Sequence, residues 1–280
     1  MDLTLALITD LHFGPEASFG GQLRKLTAQA PTLARAFVEQ MNAVVKPDLV
    51  VNLGDDIEDE SPEADRLRYG ECQEILRGAA AELVNVAGNH DTIQLTEADV
   101  RQIWGREGEL YYSLDRGGFH LVVLHTRERK DHDVSIGEAQ LAWLTADLEA
   151  NPGPTIVLMH HSAADQDLTG NRWFEGSPHI CLVSERRAIR RLFEAHGDVR
   201  AVFNGHLHWN HVDVIHGIPY VTLQSLIENL DDDAPGRAAA AHAIVRASKK
   251  RIVVEVMGAE RARYQFDSRK AQSRPSAKPT

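Results

Sequence analysis

The stretch Leu7-Ile8-Thr9-Asp10-Leu11-His12 decides how this chain is read: an apolar run beginning at Leu3 stops abruptly at a carboxylate and an imidazole two residues apart. A short apolar run bounded by polar residues predicts a buried strand over 3–9 rather than a helix. Extended residues two apart share a face, so Asp10 and His12 are expected to leave the strand end side by side and aim at one point. That is half of a metal site.

Outward from this strand the pattern recurs. Residues 13–21, with three glycines and a proline, read as a loop. Leu23, Leu26, Leu33, Phe37, Met41 and Val44 keep roughly helical spacing over 23–45, with Pro31 splitting or restarting the helix. Residues 49–53 form a second strand that runs into Gly54-Asp55-Asp56, and after a helix over 63–78 a third strand (82–86) runs into Gly88-Asn89-His90-Asp91. A short helix spans 97–104. Strands at 111–114 and 119–124 flank the hairpin signal Asp115-Arg116-Gly117-Gly118. A helix follows Gly137. The strand at 155–159 delivers His160-His161, the segment 162–178 reads as a lid, and a basic helix covers 184–196. The strand at 199–203 ends in Gly205-His206-Leu207-His208, and hairpins at 212–215/220–223 and 242–245/252–256 complete the pattern. The expected organisation is one domain over 1–266 and a disordered tail over 267–280, where Ser, Lys, Arg, Ala and Pro offer little to bury.

With 30 Lys plus Arg against 41 Asp plus Glu, the net charge is −11. That balance argues against long nucleic acid, which is held by cations neutralising phosphates. A phosphate-bearing substrate would need local cations, and metal ions supply them. Cys72 and Cys181 form no disulfide framework and read as buried thiols. No apolar run approaches a membrane span, and the N-terminus opens straight into a strand, so a cytoplasmic protein is expected. A homo-oligomer is compatible with the sequence.

Five polar clusters, Asp10/His12, Asp55, Asn89/His90, His160 and His206/His208, each follow a predicted strand. In open α/β sheets the crevice beyond the carboxyl ends of the strands collects such residues. The inventory suits two divalent ions. Asp10, His12 and His208 serve one, Asn89, His160 and His206 the other, and Asp55 bridges. Imidazole, carboxylate and amide oxygen without thiolate suit Mn, Fe, Zn or Co. Two such ions clamp a phosphoryl oxygen and lower the pKa of a bridging water, which makes hydroxide available for attack on phosphorus.

In their order, Asp10-x-His12, Gly54-Asp55, Gly88-Asn89-His90-Asp91, His160 and Gly205-His206-x-His208 resemble the motif set of the calcineurin-like metallophosphoesterase superfamily. The resemblance spans residues 10–208. It implies an α/β fold, a four-layer α/β/β/α sandwich of two facing mixed sheets, and the ligand assignment above. It also implies that His90 contacts the phosphate and protonates the leaving oxygen, and that Asp91 orients His90. Asp56 and Asp91 depart from the protein phosphatases of the superfamily, Glu58 stands where purple acid phosphatases have a metal-binding tyrosine, and Ser162-Ala163 stands where class III cyclic nucleotide phosphodiesterases usually have Pro-Pro. Tyr111-Tyr112-Ser113, Gln140-Leu141-Ala142-Trp143-Leu144 and Tyr220-Val221-Thr222-Leu223 are similar to that phosphodiesterase group and to manganese-dependent ADP-ribose and CDP-alcohol diphosphatases.

Around these motifs, His161 divides between a substrate or supporting role and a structural one; in an extended chain it would point away from His160. Arg172, in the 162–178 segment, is the candidate for a second phosphate contact. Asp56 and Glu58 read as ordinary loop acids, and Arg186, Arg187, Arg190 and Arg191 as a solvated face paired with acids. The expected activity is hydrolysis of a small nucleotide-like or glycerol-like phosphodiester, with Asn89, His90, His161 and Arg172 contacting the substrate. A phosphomonoesterase, a nuclease and a non-catalytic scaffold of the same fold are the rivals.

Overall fold

The computed structural model describes residues 2–129, 132–231 and 233–267. In chain order the strands are β1 (Asp2–Ile8), β2 (Ala17–Phe19), β3 (Gln22–Lys25), β4 (Leu49–Asn52), β5 (Glu82–Asn85), β6 (Tyr112–Arg116), β7 (Phe119–Val123), β8 (Arg127–Arg129), β9 (Asp133–Ser135), β10 (Thr155–Leu158), β11 (Val199–Asn204), β12 (His211–Ile215), β13 (Ile218–Thr222), β14 (His242–Ser248), β15 (Arg251–Met257) and β16 (Ala262–Asp267). The α-helices are α1 (Ala30–Gln40), α2 (Pro62–Leu76), α3 (Glu97–Trp104), α4 (Gly137–Ala150) and α5 (Arg186–His196). Among the described residues these strands form two six-stranded mixed sheets, β16-β15-β14-β1-β4-β5 and β12-β13-β11-β10-β7-β6, with β2-β3 and β8-β9 as separate hairpins.

Alternation along the strands builds the layers. Leu3, Leu5 and Leu7 of β1, with Leu49 and Val51 of β4, face Phe119, Leu121, Ile156, Leu158 and Phe203 of the second sheet, and together they make the core between the sheets. The intervening residues Ala6, Ile8 and Val50 face outward onto Phe37, Tyr69, Cys72, Leu76 and Val100 of α1–α3. On the other side Val122, Val157 and Val202 pack against Leu144, Leu148, Ile189 and Phe193 of α4 and α5. Strands buried on both faces carry near-continuous apolar runs, which is why 49–52 and 155–158 read so plainly in the sequence. This is the four-layer α/β/β/α arrangement of two facing mixed sheets that the motif resemblance implies.

Two expectations need correction. The helical spacing over 23–45 is interrupted: residues 22–25 are β3, paired with β2 in a hairpin that turns at Gly20 (φ 61°) and Gly21 (φ 78°), and α1 starts at Ala30 with Pro31 in its first turn. Proline is tolerated there because the first helical N–H groups have no partner to lose. The last hairpin extends by β16, which ends at Asp267, so that residue belongs to the sheet, while the expected disorder of 268–280 lies outside the described residues. Cys72 and Cys181 are free and buried. Among the described residues no helix is long and apolar enough to cross a membrane.

Candidate active site

β1, β4 and β5 run parallel in one sheet, as do β7, β10, β11 and β13 in the other. Asp10, His12, Asp55, Asn89, His160, His206 and His208 all lie just past carboxyl ends of these strands and are buried. The two sheets meet at this edge: the backbone N–H of His206 donates to Asp10 Oδ2 at 3.1 Å, and His160 Nδ1 donates to the Leu53 carbonyl at 2.8 Å.

The local geometry differs from simple strand alternation. Asp10 (φ 52°), His12 (φ 48°), Asp55 (φ 58°), His206 (φ 66°) and His208 (φ 52°) are all left-handed, so each Asp/His-x-His pair projects from a turn beyond its strand. Such conformations cost about 1–3 kcal/mol each and persist only where the surroundings over-determine them. Here Asp10 N–H donates to the Gly54 carbonyl at 2.9 Å and His12 N–H to the Asp55 carbonyl at 3.0 Å, which locks the loop after β1 to the loop after β4. The motif glycines permit contact: a Cβ on Gly205 would overlap Thr9 Oγ1, and one on Gly88 would overlap Asp55 Oδ1.

At one side of the site the Nε2 atoms of His12 and His208 face each other at 3.2 Å. Behind them, His12 Nδ1 is 2.9 Å from Glu58 Oε2 and His208 Nδ1 is 2.8 Å from Glu228 Oε2. Each ring therefore gives its Nδ1 proton to a carboxylate and turns Nε2 inward, the arrangement that orients imidazole ligands. Burial and the Lys25 ammonium hold His12 down to about 4. For His208 burial is outweighed by Asp10 and Glu228, which lift it to about 9. Two inward nitrogens this close call for a cation between them, a proton or a metal ion, and metal binding displaces the proton. Asp10 Oδ1 stands 3.3 Å from His208 Nε2, and Asp55 Oδ2 stands 3.8 Å from His12 Nε2.

Asp55 Oδ2 also lies 3.3 Å from His160 Nε2, which has no hydrogen-bond partner although fully buried, and so belongs to both sides of the site. Burial would keep His160 neutral, but Asp55 and Asp10 outweigh it and raise it to about 10. His206 Nδ1 is 3.1 Å from Asn89 Oδ1. Ligand atoms of Asp10, His12 and His208, and separately of Asp10, Asp55 and His160, lie within 4.8 Å of one another. An orphaned buried nitrogen, facing imidazoles and a shared carboxylate are what a divalent-metal centre requires, so the donor set fits.

His161 does not point away. Its ring centroid is 4.0 Å from that of His206, its Nδ1 pairs with Thr126 Oγ1 at 2.7 Å, and its ligand atom groups with those of His160 and His206. The chain leaves β10 at Leu158, so the extended-strand rule no longer holds at 160–161. His90 lies at the edge of the site, its backbone N–H donating to Asp55 Oδ1 at 2.9 Å.

The role expected of Asp91 passes to another acid. Its carboxylate is consumed by the backbone N–H groups of Asp55 (3.0 Å), Asp56 (2.8 Å) and Gly88 (2.8 Å), so it ties the loop after β4 to the loop after β5. His90 Nδ1 instead pairs with Asp59 Oδ1 at 2.6 Å, and that hydrogen bond holds the Asp59 carboxyl below its usual range. Arg172 lines a cleft of about 260 Å³ with Trp173, His208 and Glu228, and its guanidinium donates to the Asn229 carbonyl at 3.3 Å. Arg186 and Arg190 grip Asp165 at 2.6 and 2.5 Å, the acid pairing expected of this stretch, but Arg190 is buried rather than solvated, its guanidinium also donating to the Ala163 carbonyl at 2.7 Å.

Sequence reasoning passed over Asp59, Glu228 and Lys25, and read Glu58 as an ordinary acid. Glu228 follows β13, so the strand-end rule applied to that strand points to its loop. Lys25 was hidden by the helical reading of its segment.

A sequence profile described as calcineurin-like phosphoesterase matches residues 3–210. A cAMP/cGMP dual specificity phosphodiesterase of Mycobacterium tuberculosis is 31% identical over 230 residues, 78% of this chain and 65% of the relative, so the chain spans about two thirds of that protein. A probable cyclic nucleotide phosphodiesterase of Synechococcus is 28% identical over 219 residues, 74% of each chain. In three dimensions a dimetal phosphatase from Danio rerio superposes with a TM-score of 0.74 at 18% identity, covering 95% of this chain and 99% of that one. With the profile running from β1 to just beyond Gly205-His206-Leu207-His208, the chain belongs to the calcineurin-like phosphoesterase family.

Proposed function

We propose that this protein is a phosphodiesterase that hydrolyses a small nucleotide-like or glycerol-like diester with two divalent ions bound. The observation that carries the reading is the facing pair His12 Nε2 and His208 Nε2, 3.2 Å apart, each backed by a carboxylate. Asp10, His12 and His208 would hold one ion, Asn89, His160 and His206 the other, with Asp55 shared. When bound, the ions supply Lewis-acid polarisation of the phosphoryl oxygens and activation of the attacking water.

The chain's own groups do the rest. Asn89 and His90 contact the phosphoryl group, and His90 gives its Nε2 proton to the departing alcohol oxygen. Asp59 takes the Nδ1 hydrogen bond and stabilises the imidazolium before transfer. His161, beside His206, shapes the wall of the site, and Arg172 lies at its Trp173 margin. The diester preference draws on the cyclic nucleotide phosphodiesterase names of the relatives.

Hydrolysis of bis-p-nitrophenyl phosphate and p-nitrophenyl phosphate by chelator-stripped protein, with and without manganese, tests the reading. Manganese-dependent cleavage of the diester is expected, followed by a screen of cyclic nucleotides, CDP-alcohols and glycerophosphodiesters. Cleavage of the monoester alone would make the protein a phosphatase. Inertness towards both with every divalent ion tried would refute the proposal.

A further inference from the structure

We infer that Lys25 is a substrate-contacting residue, whose ammonium donates to a phosphoryl oxygen beside His90. The inference rests on the phosphodiesterase reading above and adds to its site a fixed cation that no metal supplies.

Lys25 is the last residue of β3, and an antiparallel bridge to Glu228 fixes its backbone to the segment that supports His208. Its side chain is 5% exposed, which for a lysine demands a reason, since a buried charge is costly unless paired. Glu58 Oε2, at 2.7 Å, is one partner. The Trp173 ring lies beneath the ammonium, with its centroid 5.3 Å from Nζ. The other two neighbours are His12 Nδ1 at 3.4 Å and His90 Nε2 at 3.5 Å.

These neighbours hold the ammonium unequally, with one short contact to Glu58 and two long ones to imidazole nitrogens. An ammonium has three donors. Glu58 takes one. His12 Nδ1 is 2.9 Å from the same Glu58 oxygen and gives its own proton there, so it does not accept from Lys25. The remaining direction of interest is His90 Nε2, the atom assigned to the leaving oxygen. Nζ and Nε2 lie 3.5 Å apart and converge on one point beside the proposed metal centre, so an anionic phosphoryl oxygen entering there comes within reach of both.

The same geometry excludes another use of this pocket. His12, Glu58 and His90 present ligand atoms close enough to resemble a third metal site. The Lys25 ammonium already stands against all three, so the positive charge there belongs to the chain. A purely structural lysine remains the competing account, because neutralising Glu58 would hold His12 for its metal. The two accounts part on metal content.

The test compares wild type with Lys25→Gln and Lys25→Arg, each loaded with manganese. Three quantities are read: bound manganese by atomic absorption, the dissociation constant of inorganic phosphate by calorimetry, and kcat/KM for bis-p-nitrophenyl phosphate. Lys25→Gln is expected to keep its manganese while binding phosphate about 10- to 100-fold more weakly, the range of one lost charged hydrogen bond, with a comparable fall in kcat/KM. Lys25→Arg should recover most of both, and Lys25→Met, which keeps the apolar stem and removes the charge, carries the test if the glutamine variant does not fold. Then a methionine variant that keeps its manganese but binds phosphate more weakly supports the inference, and one that loses manganese or binds phosphate as wild type does overturns it. Unchanged phosphate affinity in a folded Lys25→Gln protein overturns it, as does loss of manganese in step with phosphate binding. A wild type that neither binds phosphate nor cleaves the diester brings down the hydrolase reading itself, whereas an active wild type matched by Lys25→Gln brings down only the role of Lys25.

Discussion

Two histidines of this protein are buried between carboxylates at opposite ends of the molecule, and they differ in what their second nitrogen meets. His120, near the start of β7, has Asp115 Oδ1 2.9 Å from Nδ1 and Asp147 Oδ2 2.8 Å from Nε2. His208, beyond the carboxyl end of β11, has Glu228 behind Nδ1, but its Nε2 faces a second imidazole and Asp10 across a shared point. Both rings are raised above their ordinary value by these acids against the opposing effect of burial. The difference lies in saturation. A ring with both nitrogens engaged is a structural cation, and a ring with one nitrogen engaged and one turned onto a common focus is a candidate ligand.

Substitutions at the focus should separate the two most sharply. Asp55→Asn, which removes the shared carboxylate, is expected to lose bound manganese and to lower diester hydrolysis by about 10²–10³-fold or more, judged from what removing one transition-state electrostatic group costs. Full activity in that variant would mean that Asp55 bridges nothing. His90→Ala should keep its manganese and lose about 10²–10⁴-fold in turnover, the usual share of a general acid. If it bound no metal, the division between ligands and acid would be wrong.

One step further out, Glu228→Gln and Glu58→Gln leave every ligand in place and remove only the backing acid. Manganese affinity measured by titration is expected to fall about 10- to 100-fold in each. Unaltered affinity would show that the backing carboxylates do not set the tautomers of His208 and His12.

The smallest effect is expected at His120. Its folded-state pKa is raised, so the stability it contributes is complete below the ordinary imidazole value of 6.5 and is lost as pH rises through the elevated value. Melting temperature should therefore decline on going from neutral to mildly alkaline pH, and His120→Asn should flatten that decline while manganese binding stays at the wild-type level. A variant with the same slope as wild type would assign the pH dependence elsewhere.

The candidate ligand residues were legible because each is tied to a strand end, and strand ends are marked by the change from apolar run to polar loop. Asp10, His12, Asp55, Asn89, His160, His206 and His208 needed no more than that rule and a count of donors. The physical reason offered for their convergence was less sound, since left-handed turns and not strand alternation bring Asp10 to His12. The groups that support the ligands were harder to see. Five of the six residues from Asp55 to Glu60 are acids, and nothing in spacing tells which acid turns to His12 and which to His90. The β2-β3 hairpin stayed hidden because Leu23 and Leu26 fall in phase with Leu33 and Phe37 of α1, so a helical period runs unbroken across a real break at residues 26–30.

The left-handed residues of the site also bear on any attempt to make this protein more heat-resistant. At Asp10, His12, Asp55, His206 and His208 the backbone adopts a conformation that glycine takes without steric cost. Glycine at these five positions would relieve backbone strain, but at Asp10 and Asp55 it would leave the N–H groups of His206 and His90 without their carboxylate partners, and at every one of the five it would erase a donor. Durability and chemistry are opposed at the same five backbone positions, so stabilising changes have to be sought in the helices and the outer strands.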